Sequence, residues 1–389
     1  MTLRDKAVSL VSINRGSGAQ MTSSSRVAGR HATDQPPHIL VVRNDKLGDF
    51  MLAWPALACL KAGAPEARIS VLVPSYTAPI ARLCPWIDEV ILDPGDGAGK
   101  QAQRKLLAQL RSARFTAMLT LYSTPRIGWL GWRAGIPCRL APATKWAQLF
   151  YNHRIVQRRS RSAKPEYLYN IELAEALLDI EGHLPPRRPT PPYWPLPTGA
   201  VETQRETIAT ELTLDTQAPW LFLHAGSGGS AVNLSPVQYA ELATAVDSRL
   251  ADTVLRPHWL LTAGPGEEPT ARELRDSLAS RGLSATVLPP RASLGDFALT
   301  LAVADLFIAG STGPLHIAGC LNRPTAGFYP ARRSATSLRW QTCNDASRRL
   351  AFSPPEAAGE SDMAAIDIET AADAISAQVR RRVAATSAS

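Results

Sequence analysis

"HILVVRNDKLGDFMLAWPAL", residues His38 to Leu57, changes character halfway along. His38–Val42 is a continuous apolar run, as in a parallel strand covered on both faces. From Phe50 to Leu60 the apolar residues recur at helical spacing. Between the two lies a short polar turn, "RNDKLGD", with two carboxylates and a lysine. A strand handing over to a helix in this way opens a βα unit, and ligands of parallel α/β sheets collect at the carboxyl ends of the strands. Gly48 lets another molecule approach the backbone closely. Asp49 directly precedes the expected helix, so its plain structural role is an N-cap. The positive end of a helix also keeps a carboxylate ionised, and an ionised carboxylate in a cleft can accept a proton from an attacking hydroxyl.

The same alternation runs outward from this stretch. Strands are expected at Ala67–Pro74, Ile87–Pro94 and Phe115–Tyr122, with helices near Ala78–Leu83, Gln101–Arg111 and Tyr167–Ile180. "HLPPRRPTPPYWPLP", His183–Pro197, is too rich in proline for a helix or an inner strand and reads as a stiff linker. Beyond it the alternation restarts with "WLFLHAG", "HWLLTAG", "SATVLPP", "ADLFIAG" and "PTAGFYP" as strand regions, and Ile368–Arg382 as a terminal helix. The expected fold is α/β, with two Rossmann-like domains facing across a cleft. The expected boundaries are a disordered tail at 1–35, a first domain at 36–182, the linker at 183–200, a second domain at 201–360 and a terminal segment at 361–389.

Composition narrows the function. The 389 residues are 45% hydrophobic, enough for two cores, and hold no apolar run long enough to span a membrane. The N-terminal "AVSLVSI" lacks a convincing cleavage site, so a signal peptide is not expected. Five scattered cysteines (59, 84, 138, 320, 343) have no metal-ligand spacing and suit packing in a reducing cytosol. The net charge is +8, but residues 36–165 hold 19 Lys and Arg against 7 Asp and Glu, a surplus of 12 that leaves the rest at −4. That imbalance suits an anionic partner such as a phosphorylated glycolipid, a membrane surface or a nucleic acid, or merely a solubilising surface. "RRSRSAK", Arg158–Lys164, has no interleaved aromatics, which argues against single-stranded nucleic acid.

Three further segments follow strands. "HAGSGGSAVN", His224–Asn233, offers Ser227, Gly228, Gly229 and Ser230 as an anion-binding nest or as an ordinary flexible loop. "TAGPGEE", Thr262–Glu268, can bring Glu267 or Glu268 to ribose hydroxyls, or simply start a helix with acidic residues. In "AGSTGPLHIAG", Ala309–Gly319, Ser311 and Thr312 can cap a helix with Pro314 in its first turn. The amides of Thr312, Gly313 and Leu315 would then face a diphosphate, with His316 at the same end.

Together "VVRNDKLGDFMLAWPAL", "HAGSGGSAVN" and "GSTGPLHIAGCLNRPTAGFYP" resemble glycosyltransferase family 9, the lipopolysaccharide heptosyltransferases, over about His38–Arg382. The resemblance implies a GT-B fold whose terminal helix packs back on the first domain. It implies metal-independent, inverting transfer of a heptose from ADP-heptose to a phosphorylated lipid A-core acceptor, at the cytoplasmic face of the inner membrane. No cofactor and no nucleic acid enter that chemistry. The family's catalytic aspartate falls on Asp49, its donor-binding residues on Thr312, Gly313 and His316, and its ribose-binding glutamate on Glu267 or Glu268. Where the family has a basic residue before Asn233, this chain has Val232, and Ser311 stands where some members carry an acid. Lys46 or Arg43 is the substitute cation available from the first domain. Another nucleotide sugar, or a catalytically silent nucleotide-sugar or glycan-binding protein, is the alternative.

Overall fold

In the computed structural model, residues 36–387 are described, apart from positions 145, 185, 227, 229–231 and 252–255. The expected tail at 1–35 lies outside them. The first half runs β1 (His38–Val42), α1 (Leu47–Met51), α2 (Trp54–Gly63), β2 (Arg68–Pro74), α3 (Ala78–Ala81), β3 (Glu89–Asp93), α4 (Lys100–Ser112), β4 (Ala117–Thr120), α5 (Pro125–Ala134), β5 (Cys138–Pro142), β6 (His153–Ile155) and α6 (Glu166–Ile180). The second runs α7 (Ala200–Leu212), β7 (Trp220–His224), α8 (Pro236–Leu250), β8 (His258–Leu261), α9 (Glu268–Ser280), β9 (Ala285–Val287), α10 (Leu294–Ala302), β10 (Leu306–Gly310), α11 (Gly313–Cys320), β11 (Thr325–Phe328), α12 (Ser337–Trp340), β12 (Arg349–Phe352) and α13 (Ile368–Ser387).

Among the described residues these strands form two six-stranded sheets, ordered β3-β2-β1-β4-β5-β6 and β12-β11-β10-β7-β8-β9. Every pairing is parallel. In register, Ile39 lies between Ile69 and Ala117, and Phe307 between Phe222 and Thr325. The central strands are buried on both faces, which is why "ILVV" and "WLFL" show no polar alternation. In each sheet the strand order reverses beside the first strand, between β1 and β4 and between β7 and β10. The loops leaving those strands bound the crevices where such sheets bind ligands.

α2 and α11 are apolar all round because they are enclosed: Trp54 to Leu60 and Leu315 to Cys320 are all buried. They belong to one apolar cluster with residues of both sheets. The proline-rich segment is pinned rather than loose. Trp194 packs its ring 4.8 Å from Trp54, the amides of Tyr193 and Trp194 donate to the Cys320 carbonyl at 2.9 and 3.0 Å, and Trp86 donates to Tyr193. All five cysteines are buried and none is in a disulfide.

One expectation about packing is corrected. The described side chains of the terminal helix α13 pack on the second half rather than the first. Its Ala371, Ala372, Ile375 and Val379 enter the apolar cluster of α8, β8 and β10. Arg249 of α8 pairs with Glu369 and Asp373 at 2.6 and 2.5 Å, and Arg382 with Asp305 at 2.5 Å. The apolar stripe of α13 finds its nearest complement on the half that precedes it.

Candidate active site

Each switch point opens into a cavity. The loops after β7 and β10 supply Val232, Ser311, Thr312 and Gly313 to a space of about 440 Å3, which His316, Arg332 and Trp340 also line. The loops after β1 and β4 supply Arg43, Asp45, Tyr122 and Ser123 to a second space of about 510 Å3, closed by Arg159, Glu166 and Arg339. Lys46, Asp49 and Trp340 line both. The carboxylate singled out from the sequence therefore stands where the two spaces adjoin.

Asp49 is held differently from expectation. The helix begins at Leu47 with Lys46 as its N-cap, so Asp49 is the third helical residue and makes no cap. Its Oδ1 instead accepts from Arg43 Nη2 at 2.6 Å. Arg43 is buried and also donates to Asp45 at 2.8 Å and Glu166 at 3.1 Å. Burial would lower the pKa of this guanidinium, but its three carboxylates hold it above the ordinary value. Glu166 is bound in turn by Arg159 at 2.6 Å and Arg339 at 3.1 Å. Burial alone would raise its pKa, yet Arg159, Arg43 and Arg339 keep it below the usual carboxylate range. Asp45 goes the other way: burial and the neighbouring Asp49 push it up to about 6 despite Arg43. Three guanidiniums thus balance three carboxylates in the floor of the larger space. The idea of Arg43 as the substitute phosphate cation fails for this reason. Its donors already serve protein carboxylates.

Gly48 explains how the two halves come so close. A Cβ there would lie 2.8 Å from His316 Cδ2 and 3.8 Å from the Gly313 amide nitrogen, and one on Gly313 would lie 3.0 Å from Leu47 Cδ2. The starts of α1 and α11 touch because neither carries a side chain at the crossing. Thr312 is the N-cap of α11, but its hydroxyl makes no cap bond. Its amide is also not free, since it donates to the Gly310 carbonyl at 2.7 Å. Gly313 and Leu315, at the first and third helical positions, precede the first intrahelical donor, His316, which bonds to the Thr312 carbonyl. Thr312 Oγ1 and His316 Nδ1 are buried with no hydrogen-bond partner. Burial pushes the His316 imidazole down to about 4, so it is neutral at pH 7.

Glu267 and Glu268, inseparable by spacing, part in the structure. Glu267 accepts from the amides of Gly228 at 2.6 Å and Gly264 at 2.8 Å, tying together the loops after β7 and β8. Glu268 opens α9. Gly228 and Glu267 lie outside the walls of the two spaces. Asn233 donates to the Ala225 carbonyl at 3.0 Å and accepts from Tyr239 at 2.6 Å. Ser227, Gly229 and Ser230 fall outside the described residues.

Sequence reasoning missed Arg332, Trp340 and the Arg159–Glu166–Arg339 group. Arg332 and Trp340 follow β11, at the carboxyl end of a strand, which was the available signal. Glu166 had another: it is the first acidic residue after Asp96.

The description "glycosyltransferase family 9 (heptosyltransferase)" belongs to the family profile that matches residues 103–348. A Haemophilus influenzae protein described only in general terms as a glycosyltransferase is 46% identical over 325 residues, covering 84% of this chain and 91% of that one. Lipopolysaccharide heptosyltransferase 2 of Escherichia coli is 23% identical over 299 residues, covering 75% and 82%. The solved E. coli ADP-heptose lipopolysaccharide heptosyltransferase II superposes with a TM-score of 0.66 at 19% identity, over 89% of this chain and 99% of that one. E. coli heptosyltransferase WaaC with ADP gives 0.63 at 18%, over 88% and 99%. The fold is accordingly the GT-B arrangement of those heptosyltransferases, and the chain belongs to glycosyltransferase family 9.

Proposed function

We propose that this glycosyltransferase is an inverting enzyme that moves a heptose from ADP-heptose to a lipid-linked, phosphorylated core sugar, with Asp49 as its base. The observation that carries the proposal is the position of Asp49 in the wall shared by two cavities. The donor would occupy the smaller one, its diphosphate at the start of α11. There the Gly313 and Leu315 amides, the Thr312 hydroxyl and the neutral His316 supply partners, while Lys46 and Arg332 supply positive charge. Glu267 would meet the ribose from the loop it already organises. The acceptor would enter the larger cavity.

In the reaction, the acceptor hydroxyl gives its proton to the Asp49 carboxylate as its oxygen bonds to the anomeric carbon. The bond from that carbon to the diphosphate oxygen breaks on the opposite face, and ADP leaves with the electron pair. Arg43 keeps the carboxylate aimed, so little reorganisation remains for the transition state.

Asp49→Asn tests this. Transfer, followed by mass spectrometry of the glycolipid product, falls by about 10²–10⁴-fold, while calorimetric binding of ADP is retained. Undiminished transfer removes Asp49 from the chemistry. Val232 favours a second reading, a silent nucleotide-sugar binder, because it places an apolar side chain in the donor space. Wild-type protein that binds ADP-heptose and transfers nothing to any lipid acceptor would establish that reading instead.

A further inference from the structure

Tryptophans rarely stand in water without a reason. Of the large apolar side chains exposed among the described residues, half lie between positions 122 and 156: Tyr122, Trp129, Trp132, Trp146, Leu149 and Val156. Trp146 is 78% exposed, Leu149 68% and Val156 75%, values at which burial contributes almost nothing to the fold. They are gathered in space. Trp129 and Trp132 share one face of α5. α5 packs on the 3-10 turn Trp146–Phe150, where Gly128 leaves room for Phe150 and the Trp132 ring lies 6.4 Å from that of Phe150. Val156 follows the edge strand β6.

The same region has a charge of one sign. Residues 97–165 contain 14 Lys and Arg and no Asp or Glu. Arg133, Arg154, Arg158 and Arg161 are exposed beside the apolar side chains. The face also runs into the larger cavity, because Tyr122 and Thr144 line it and the Ser123 and Thr144 hydroxyls bond at 2.5 Å just ahead of Trp146.

We propose that this face seats on the surface of an anionic phospholipid bilayer. The tryptophans and Leu149 enter at headgroup level and the arginines meet lipid phosphates, so that the acceptor cavity opens at the membrane. Tryptophan is the side chain suited to that boundary, and unopposed arginines are drawn to an anionic leaflet. No helix among the described residues is long and apolar enough to cross a membrane, so this attachment lies on the surface. A protein partner would favour an interface core depleted of charge, and a nucleic acid would gain nothing from Leu149 and Val156. The inference rests on the lipid-linked acceptor proposed above for its purpose, but its measurement needs no acceptor.

The test is sedimentation of the full chain with vesicles of phosphatidylcholine alone, or of equal parts phosphatidylcholine and phosphatidylglycerol. The protein is expected to pellet with the anionic vesicles, less so in high salt, and brominated acyl chains should quench its tryptophan fluorescence. In Trp129→Ser/Trp146→Ser/Leu149→Ser, partition falls about tenfold or more, with circular dichroism and ADP binding unchanged. Arg154→Gln/Arg158→Gln weakens binding to anionic vesicles specifically. Absence of wild-type pelleting and quenching, or tight salt-sensitive binding to RNA or DNA with none to vesicles, overturns the inference. Transfer to a detergent-solubilised acceptor by a protein that ignores vesicles would sink this surface and leave the enzyme reading intact. Vesicle binding without transfer would do the reverse.

Discussion

His316 shows how one residue's surroundings become a property of the protein. Its imidazole is 3% exposed, with Nδ1 unpartnered. Burial therefore lowers its pKa to about 4, against about 6.5 in the unfolded chain. Below pH 6.5 the unfolded chain takes up a proton that the folded protein refuses, so this residue's contribution is full above 6.5 and is lost as pH falls toward 4. At pH 5 the loss is about 2 kcal/mol. His316→Gln should flatten that part of the profile, read as the difference between variant and wild type in urea denaturation at pH 7 and pH 5. A difference of zero would place the imidazole in water. Asp49 and Arg43 carry a different lesson at this scale. The Gly-Asp turn does line a cavity, but the cap it suggested was not made. A guanidinium six residues earlier offered the carboxylate a charged bond at 2.6 Å, stronger than neutral amide bonds.

Elements matter here through the crossing of α1 and α11. The first comes from the opening stretch and the second from the segment Ala309–Gly319, and they meet at Gly48 and Gly313. Gly48→Ala would put a methyl 2.8 Å from Cδ2 of the buried His316 ring. The expected cost is about 1–3 kcal/mol of stability. Moving α1 by about 1 Å would also lower transfer by about 100-fold, since it carries Asp49 away from the donor space. Thermal unfolding and turnover of the variant measure both, and a wild-type result in each would mean the helices do not meet as described. The strongly periodic elements were readable in advance because each buries a continuous apolar run. The short strands β5, β6 and β12, at or next to a sheet edge, were not. "CRLAP", "HRI" and "RLAF" are brief and interrupted by arginine, and they become strands only when a formed sheet offers them an edge.

For the whole molecule, Glu166 is the joint. It lies at the start of α6 in the first half, yet Arg339 of α12 in the second half reaches it, alongside Arg43 and Arg159. Removing its charge leaves three guanidiniums facing a neutral side chain in a buried place. Glu166→Gln should cost about 3–5 kcal/mol by urea denaturation at pH 7 and weaken the grip between the halves that share Asp49. A loss under about 1 kcal/mol would show the group to be solvated, as an exposed pair is. The sequence by itself determined the two parallel α/β halves and the strand-end loops, the Gly-Asp turn among them, that line the two cavities. These follow from periodicity and from loop residues adjacent in the chain. Tertiary structure alone decided that Asp49 is aimed by Arg43, that Glu267 rather than Glu268 organises the glycine loop, and that α13 stays with its own half. It also decided that bare tryptophans gather beside the larger cavity. All but the first depend on side chains tens or hundreds of positions apart, whose encounter is set by how the packed elements cross and leaves no mark in local spacing.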